Sequence, residues 1–233
     1  NEKLKLSFTF TNYNNSLLSI QAIESILKIK GIIEPYIVII DNSSSNEEQR
    51  LLKNFKKKNN NKNIHFIFSK ENTGYFKGLN LGINFLKGLD LTFDYYIVGN
   101  NDLVFKEDFL FSLENNHNIN KDFPVISPNL KTIDGVHQNP HVLKKVSFLR
   151  KVIYRIYFSN YFFARILSRV SVISNSFSKR KDFKSHEKSG VIYMGYGACY
   201  LLTNLFFEHF KELDAKTFLM GEEAFLSNQL HSK

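Results

Sequence analysis

Four short polar clusters in the first 102 residues each close an apolar run, and they carry side chains that could do chemistry. The most pointed is Asn100-Asn101-Asp102, which comes after Tyr95-Tyr96-Ile97-Val98 and Gly99. A continuous apolar run of that length reads as a buried strand. In an open α/β sheet, ligands bind just beyond the carboxyl ends of the strands. Asp102 would then stand at the mouth of a site, carrying the hard oxygen atoms that Mg²⁺ or Mn²⁺ prefers. Taken alone, the same three residues also suit a plain turn that caps the next element.

The elements that would position this cluster repeat. Leu4, Leu6, Phe8 and Phe10 alternate with Lys5, Ser7 and Thr9, a strand pattern that ends at Thr11-Asn12-Tyr13-Asn14. Ile20, Ile23, Ile26 and Leu27 then share a helix face, with Gly31 as its stop. Ile37-Val38-Ile39-Ile40 is continuous and reads as a central strand, ending at Asp41-Asn42-Ser43-Ser44. Ser45-x-x-Glu48 is a capping box that opens a second helix. Ile64-His65-Phe66-Ile67-Phe68 is a third strand, succeeded by Asn72-Thr73-Gly74 and a helix with Phe76, Leu79, Ile83 and Leu86 on one face. The order β-α-β-α-β-α-β implies a mostly parallel sheet with right-handed crossovers, flanked by helices. Thr11-Asn12, Asp41-Asn42, Asn72-Thr73-Gly74 and Asn100-Asn101-Asp102 must then converge on one edge as a polar site.

The second half is less regular. The pattern predicts a helix over 105–113 with Glu107 and Asp108 in its first turn, and a strand end at 125–128. It predicts a strand over 190–203 and a helix over 204–213, on which His209 reads as a surface or capping residue. Glu222-Glu223 comes directly after Gly221 and, by itself, suits a solvated helix start.

The 233 residues suit one α/β domain, or one with an inserted arm, and 43% hydrophobic content can fill a core. A single cysteine, Cys199, rules out an internal disulfide and fits a reducing compartment. No apolar run reaches the roughly 18 residues of a membrane span. The chain starts at Asn1 without a Met and bears no signal-peptide pattern, which leaves room for an upstream piece. The net charge of +9 is concentrated: residues 141–184 hold eleven Lys and Arg against one acid, Asp182, which leaves the remainder near neutral at −1. Phe148, Tyr154, Tyr157, Phe158, Tyr161, Phe162, Phe163, Phe177 and Phe183 interleave with those cations. Such a segment fits the headgroup region of an anionic membrane, a solvated helical insertion, or a single-stranded nucleic acid.

In order and spacing, these clusters resemble the family 2 glycosyltransferases, inverting enzymes of the GT-A fold, over nearly the whole chain. Phe10-Thr11-Asn12-Tyr13-Asn14 resembles that family's first strand tip. Asp41-Asn42-Ser43-Ser44 is similar to the tip whose aspartate meets the nucleotide base and ribose. Asn72-Thr73-Gly74-Tyr75-Phe76-Lys77-Gly78-Leu79-Asn80-Leu81-Gly82 resembles the Asn-x-Gly…Gly-x-Asn-x-Gly signature. Asn100-Asn101-Asp102 stands where the family has its metal motif, and Gly221-Glu222-Glu223 where it has the acidic pair that supplies the base. Phe218-Leu219-x-Gly-Glu-Glu is similar to the form found in bacterial surface-polysaccharide enzymes, rhamnosyltransferase-like members included.

The resemblance implies a nucleotide diphosphate sugar donor, UDP- or dTDP-linked, and a glycan or lipid-linked glycan acceptor in capsule or O-antigen synthesis. It implies that Thr11, Asn12, Asp41, Asn42, Asn72, Gly74, Gly78, Asn80, Asn100 and Asn101 line the donor site, which occupies 1–102, with the acceptor half over 103–233. The resemblance implies a base from the acidic pair, Glu223 as the first candidate and Glu222 as the second. Asn100 replaces the first acid of the metal motif, so Mg²⁺ or Mn²⁺ would rest on Asp102, diphosphate and water. With lipid-linked acceptors in view, the basic arm reads as a membrane contact that holds a cytoplasmic protein on the inner face of the cell membrane, and no nucleic-acid partner is expected. Family members continue beyond the point where this chain ends, shortly after the acidic pair, so a shortened form is expected. The alternatives are an inactive nucleotide-binding module and a nucleotidyltransferase; the latter usually has a Gly-rich basic loop after its first strand, and Thr11-Asn12-Tyr13-Asn14 has none.

Overall fold

The computed structural model describes residues 3–145 and 185–233, and between them 152, 155–157, 159, 161 and 165. Most of the basic arm expected over 141–184 lies outside the described residues. The chain divides into two compact units, one of Asn1–Pro128 with Tyr196–Lys233 and one of Asn129–Gly195. Among the described residues, no helix is long and apolar enough to cross a membrane.

The first unit holds the sheet. Strands β1 (Leu6–Asn12), β2 (Tyr36–Asp41), β3 (Ile64–Phe68) and β4 (Tyr95–Asn100) are parallel. They are joined by helices α1 (Ser16–Leu27), α2 (Asn46–Lys58) and α3 (Tyr75–Lys87). After α4 (Phe109–Asn120) come the short strands β5 (Val125–Ile126) and β6 (Cys199–Leu202), then α5 (Asn204–His209) and α6 (Glu222–Leu230). The sheet order is β3-β2-β1-β4-β6-β5, with β6 antiparallel to both of its neighbours. On one face, Val38, Ile40, Tyr96, Val98, Tyr200 and Leu202 pack with Phe76, Leu79 and Ile83 of α3, Phe206 of α5 and Leu226 of α6. On the other, Phe8 and Phe10 meet the Phe105 ring at 5.2 and 6.1 Å, and the Tyr95 hydroxyl bonds His117 of α4 at 2.9 Å.

In the second unit, Lys131 pairs with His137 and Val142 with Met194 in short antiparallel bridges. The turn at 132–135 is closed by the Gly135 N–H donating to the Thr132 carbonyl at 2.9 Å, and the His137 and His186 rings stack at 3.8 Å.

The alternation in β1 suggests a solvated face, yet Ser7 and Thr9 are buried. The reason is α3, which lies directly on that face through glycines one turn apart. A Cβ on Gly82 would come within 2.3 Å of Thr9 Cγ2, and one on Gly78 within 2.6 Å of Thr11 Cγ2. Small polar residues on the strand and glycines on the helix together permit the close approach.

Several boundaries differ from the sequence pattern. α4 starts at Phe109 rather than 105, because Phe105 is drawn onto the Phe8 and Phe10 rings before the helix begins. β6 spans only Cys199–Leu202, since β4 offers its register partners only from Tyr96 to Gly99. α5 ends at His209, and Leu213 is buried beyond it instead of on it. In α1, Leu27 is exposed, and the buried face is mostly small: Ser16, Ser19, Ala22, Ile23, Ser25 and Ile26. The capping box is half made. Ser45 Oγ accepts from the Glu48 N–H at 3.4 Å, but the Glu48 carboxylate reaches α1, accepting from the Ser16 N–H at 2.7 Å.

Gly82→Ala should destabilise the fold by about 1–3 kcal/mol through overpacking. Thr9→Ser, which removes the facing methyl, should recover most of that loss in the double variant. Urea unfolding of the two single variants and the pair measures it; no recovery in the pair would show that the clash lies elsewhere.

Candidate functional site

Strand order reverses about β1: β2 and β3 build outward on one side, while β4 pairs on the other, with Thr11 opposite Asn100. That makes the β1/β4 edge a topological switch point, the place where crossover loops part and ligands bind in open sheets. The strand tips meet here, and a buried hydrogen-bond network ties them together.

Asn12 is its hub. Its Nδ2 donates to Asp41 Oδ1 at 2.7 Å and lies 3.2 Å from Ser44 Oγ. Its Oδ1 accepts from Ser19 Oγ and from Asn101 Nδ2, both at 3.0 Å. One amide thus joins the tips of β1, β2 and β4 to the first turns of α1. The second Asp41 oxygen accepts from the Ser44 N–H at 3.1 Å, so both oxygens of a fully buried carboxylate are engaged. Asn42 extends the network to the next tip: its Nδ2 donates to the Gly74 carbonyl at 2.9 Å, and its Oδ1 accepts from Thr73 Oγ1 at 3.1 Å. Asn72 Oδ1 accepts from the Gly74 N–H at 3.0 Å, an Asx turn that leads into α3.

The predicted residues therefore separate by burial. Asn12, Asp41, Asn42, Gly78 and Asn80 are buried, whereas Thr11, Asn72, Asn100 and Asn101 are partly open and Asp102 is exposed. Asn80 does not join the tips. Its amide clasps the backbone of Leu213, donating to the carbonyl at 2.9 Å and accepting from the N–H at 3.0 Å. Among the described residues, no three His, Cys, Asp or Glu side chains come together as a metal cluster.

The acidic pair opens α6, where Gly221 has the left-handed φ of +84° that favours glycine. Glu222 is buried, with Oε1 lacking a hydrogen-bond partner. Glu223 is half-buried, and its carboxylate lies against Gly197. The next residue along from that glycine, Ala198, accepts through its carbonyl from the Asn100 N–H at 2.9 Å, so the second acid stands beside the β4 tip. Close by, the Tyr75 hydroxyl donates to the Gly197 carbonyl at 2.8 Å. Burial, and then the nearby Cys199, Tyr200 and both glutamates, push that phenol well above its usual range. Burial likewise lifts the Cys199 thiol to about 12, so these groups stay neutral at physiological pH. Sequence reasoning missed Ser16, Ser19, Tyr75 and Gly197. The serines spaced one turn apart on the helix face that carries Ile23 and Ile26 were the available signal for the first pair.

A sequence model described as Glycosyl transferase family 2 matches residues 7–185. No curated protein matches the chain. Among solved structures, S. aureus TarS 1-349 is similar at 12% identity and a TM-score of 0.59, covering 97% of this chain and 55% of that one. The mannosyltransferase PcManGT from Pyrobaculum calidifontis, in complex with GDP-Man and Mn²⁺, is similar at 10% identity and a TM-score of 0.60, covering 97% and 51%. The TarS structure in complex with UDP aligns equally well, at a TM-score of 0.59. The chain spans about half the length of these proteins. At such identities the likeness shows the fold: a six-stranded mixed sheet flanked by helices, as in GT-A glycosyltransferase structures.

Asn12→Asp tests the network. It would set a second buried carboxylate against Asp41, and the fold should lose about 3 kcal/mol at neutral pH. Burial and the neighbouring charge would raise the new carboxyl's folded pKa, so the loss holds above that pKa and shrinks as pH falls through it. Urea unfolding at pH 7 and pH 5 reads both effects, and an unchanged midpoint at pH 7 would remove Asn12 from its central place.

Proposed function

Because the chain belongs to glycosyl transferase family 2, we propose that it is an inverting transferase. It moves a sugar from a UDP- or dTDP-linked donor to a glycan or lipid-linked glycan acceptor in bacterial capsule or O-antigen-type polysaccharide synthesis. The observation that carries this reading is the closeness of the Glu223 carboxylate to the β4 tip, across residues 197–198, at the switch point of the sheet. A proton acceptor and a diphosphate-side rim are what a direct displacement needs on opposite sides of one anomeric carbon.

The donor's nucleoside end lies over the β1 and β2 tips. There Thr11 is partly open, the buried Asn42 ties the β2 tip to Gly74, and Asp41 holds Asn12 and the Ser44 N–H in register. Asn72, Gly74 and Gly78 shape the third wall, and Asn100 and Asn101 the fourth. The acceptor hydroxyl gives its proton to Glu223 as its oxygen attacks the anomeric carbon. The carbon–oxygen bond to phosphate breaks, and the nucleoside diphosphate leaves with the electron pair. Asp102 is exposed beyond the β4 tip, and its carboxylate is the group that would hold Mg²⁺ or Mn²⁺. When bound, such an ion would supply countercharge for the diphosphate. The cations of 141–184 place the enzyme on an anionic membrane surface, where lipid-linked acceptors reside.

Calorimetric titration with nucleotide diphosphates and their sugars, with and without Mn²⁺, should find one nucleotide whose binding is metal-assisted. Asp102→Asn should remove that assistance, and Asp102→Asn and Glu223→Gln should each lower transfer at least about a hundredfold. Normal turnover in Glu223→Gln would reject the base. Tight nucleotide binding with no sugar release from any donor would instead assign the chain to a binding role.

Flotation with anionic and neutral liposomes measures the membrane contact. Recovery with anionic vesicles alone is expected, and equal recovery in the soluble fraction from both would reject it.

A further inference from the structure

Glu223 is a long acid on the first turn of a helix, and its three side-chain torsions let the carboxylate sweep several ångströms. Something other than α6 must fix it. The surface it lies on is the backbone at Gly197. The three atoms nearest to a Cβ built on Gly197 all belong to Glu223: Oε1 at 2.6 Å, Cδ at 2.9 Å and Cγ at 3.0 Å. Any side chain at 197 would thus evict the carboxylate, while the flexible acid could move aside without opening the fold.

That surface is itself clamped. Tyr75 donates its hydroxyl to the Gly197 carbonyl at 2.8 Å, and its own N–H donates to the Phe218 carbonyl at 3.1 Å. The same residue therefore holds the backbone on both sides of Glu223: the segment that receives the acid and the segment that leads into it. From the other direction, the Asn100 N–H fixes the Ala198 carbonyl at 2.9 Å. That carbonyl sits so close to Gly99 that a Cβ there would lie 2.4 Å away. The Tyr75 hydroxyl stays protonated, since its surroundings oppose ionisation, and so remains a donor.

We propose that Gly197, clamped by the Tyr75 hydroxyl, sets where the Glu223 carboxylate lies, making Gly197 and Tyr75 positioning residues for the base. The catalytic part of this proposal rests on the transferase reading; the positioning part does not.

The test is a double-mutant cycle on the full chain, read in two ways. In urea unfolding, Gly197→Ala should lower the folding equilibrium constant about fivefold or more in the parent and change it less than about twofold in a Glu223→Ala background. In nucleoside diphosphate release from UDP-GlcNAc, GDP-mannose and dTDP-rhamnose with Mn²⁺, Gly197→Ala and Tyr75→Phe should each lower kcat about tenfold, with donor KM within about twofold. Neither should lower kcat further in a Glu223→Gln background. Equal unfolding effects of Gly197→Ala in both backgrounds overturn the proposal, whatever the chain catalyses. Additive losses of kcat overturn it as well. Coupled unfolding with no release from any of the three donors upholds the positioning and counts against the transferase reading instead. Should Gly197→Ala fail to fold while the Glu223→Ala double variant folds, the coupling is at its extreme and supports the proposal. If neither folds, Tyr75→Phe decides by its kcat.

Discussion

The site end of this sheet depends on one interaction, the Asn12 amide bound to the buried Asp41 carboxylate at 2.7 Å. A carboxylate fully removed from water is costly unless its oxygens find donors. Asp41 has two, one from β1 and one from the turn after β2. Asn12 can serve it only because an amide is both donor and acceptor, which lets the same side chain receive Ser19 and Asn101 on its other end. The polarity of the network therefore runs in one direction, from α1 and β4 through Asn12 to β2. With the strand tips locked, the turns beyond them inherit fixed starting points, and the rim they form is preorganised.

Helix α3 carries that order across to the acidic pair. Its glycines bring it onto β1, and it takes hold of the C-terminal segment at three places along its length. Gly74 admits the Phe218 carbonyl where a Cβ would stand 2.2 Å from it, Asn80 clasps Leu213, and Lys87 Nζ donates to the Lys211 carbonyl at 2.9 Å. The approach to Glu222 and Glu223 is thereby measured against the same strand that carries Asn12. Several residues of the Asn-Thr-Gly-Tyr-Phe-Lys-Gly-Leu-Asn-Leu-Gly stretch thus act on the site through backbone placement. Their work is packing and clasping.

The strands and helices of the first hundred residues were legible because apolar periodicity and polar tips both mark them, and the two signals agree. The convergence of the tips followed from alternation alone. The strand order did not, because β1 lies between β2 and β4 for reasons of long-range pairing that no local pattern encodes. Local preference lost to a distant partner at two places: Phe105 leaves the start of α4 for the Phe8 and Phe10 rings, and the Glu48 carboxylate leaves its capping box for the Ser16 N–H. The division of the candidate residues into buried braces and open rim was also illegible. Asn12 and Asn100 read alike in sequence, and only the sheet makes one a hub and the other an edge.

The acidic pair shows why geometry must assign what sequence offers as a choice. Successive residues on an α-helix project about 100° apart, so Glu222 and Glu223 leave the helix in different directions. One direction leads inward, where Glu222 is buried with an oxygen that no protein donor meets. The other leads along Gly197 toward the β4 tip, half open to solvent. A base must exchange its proton with water after each turnover, and it must lie across the reacting carbon from the leaving diphosphate. On the transferase reading proposed above, the second direction suits the base, because it is the one partly open to solvent. The orphan oxygen of Glu222 marks a cost of burial that the protein's own donors leave unmet. On that reading the outer acid takes the proton, while the inner one is buried at the start of the same helix.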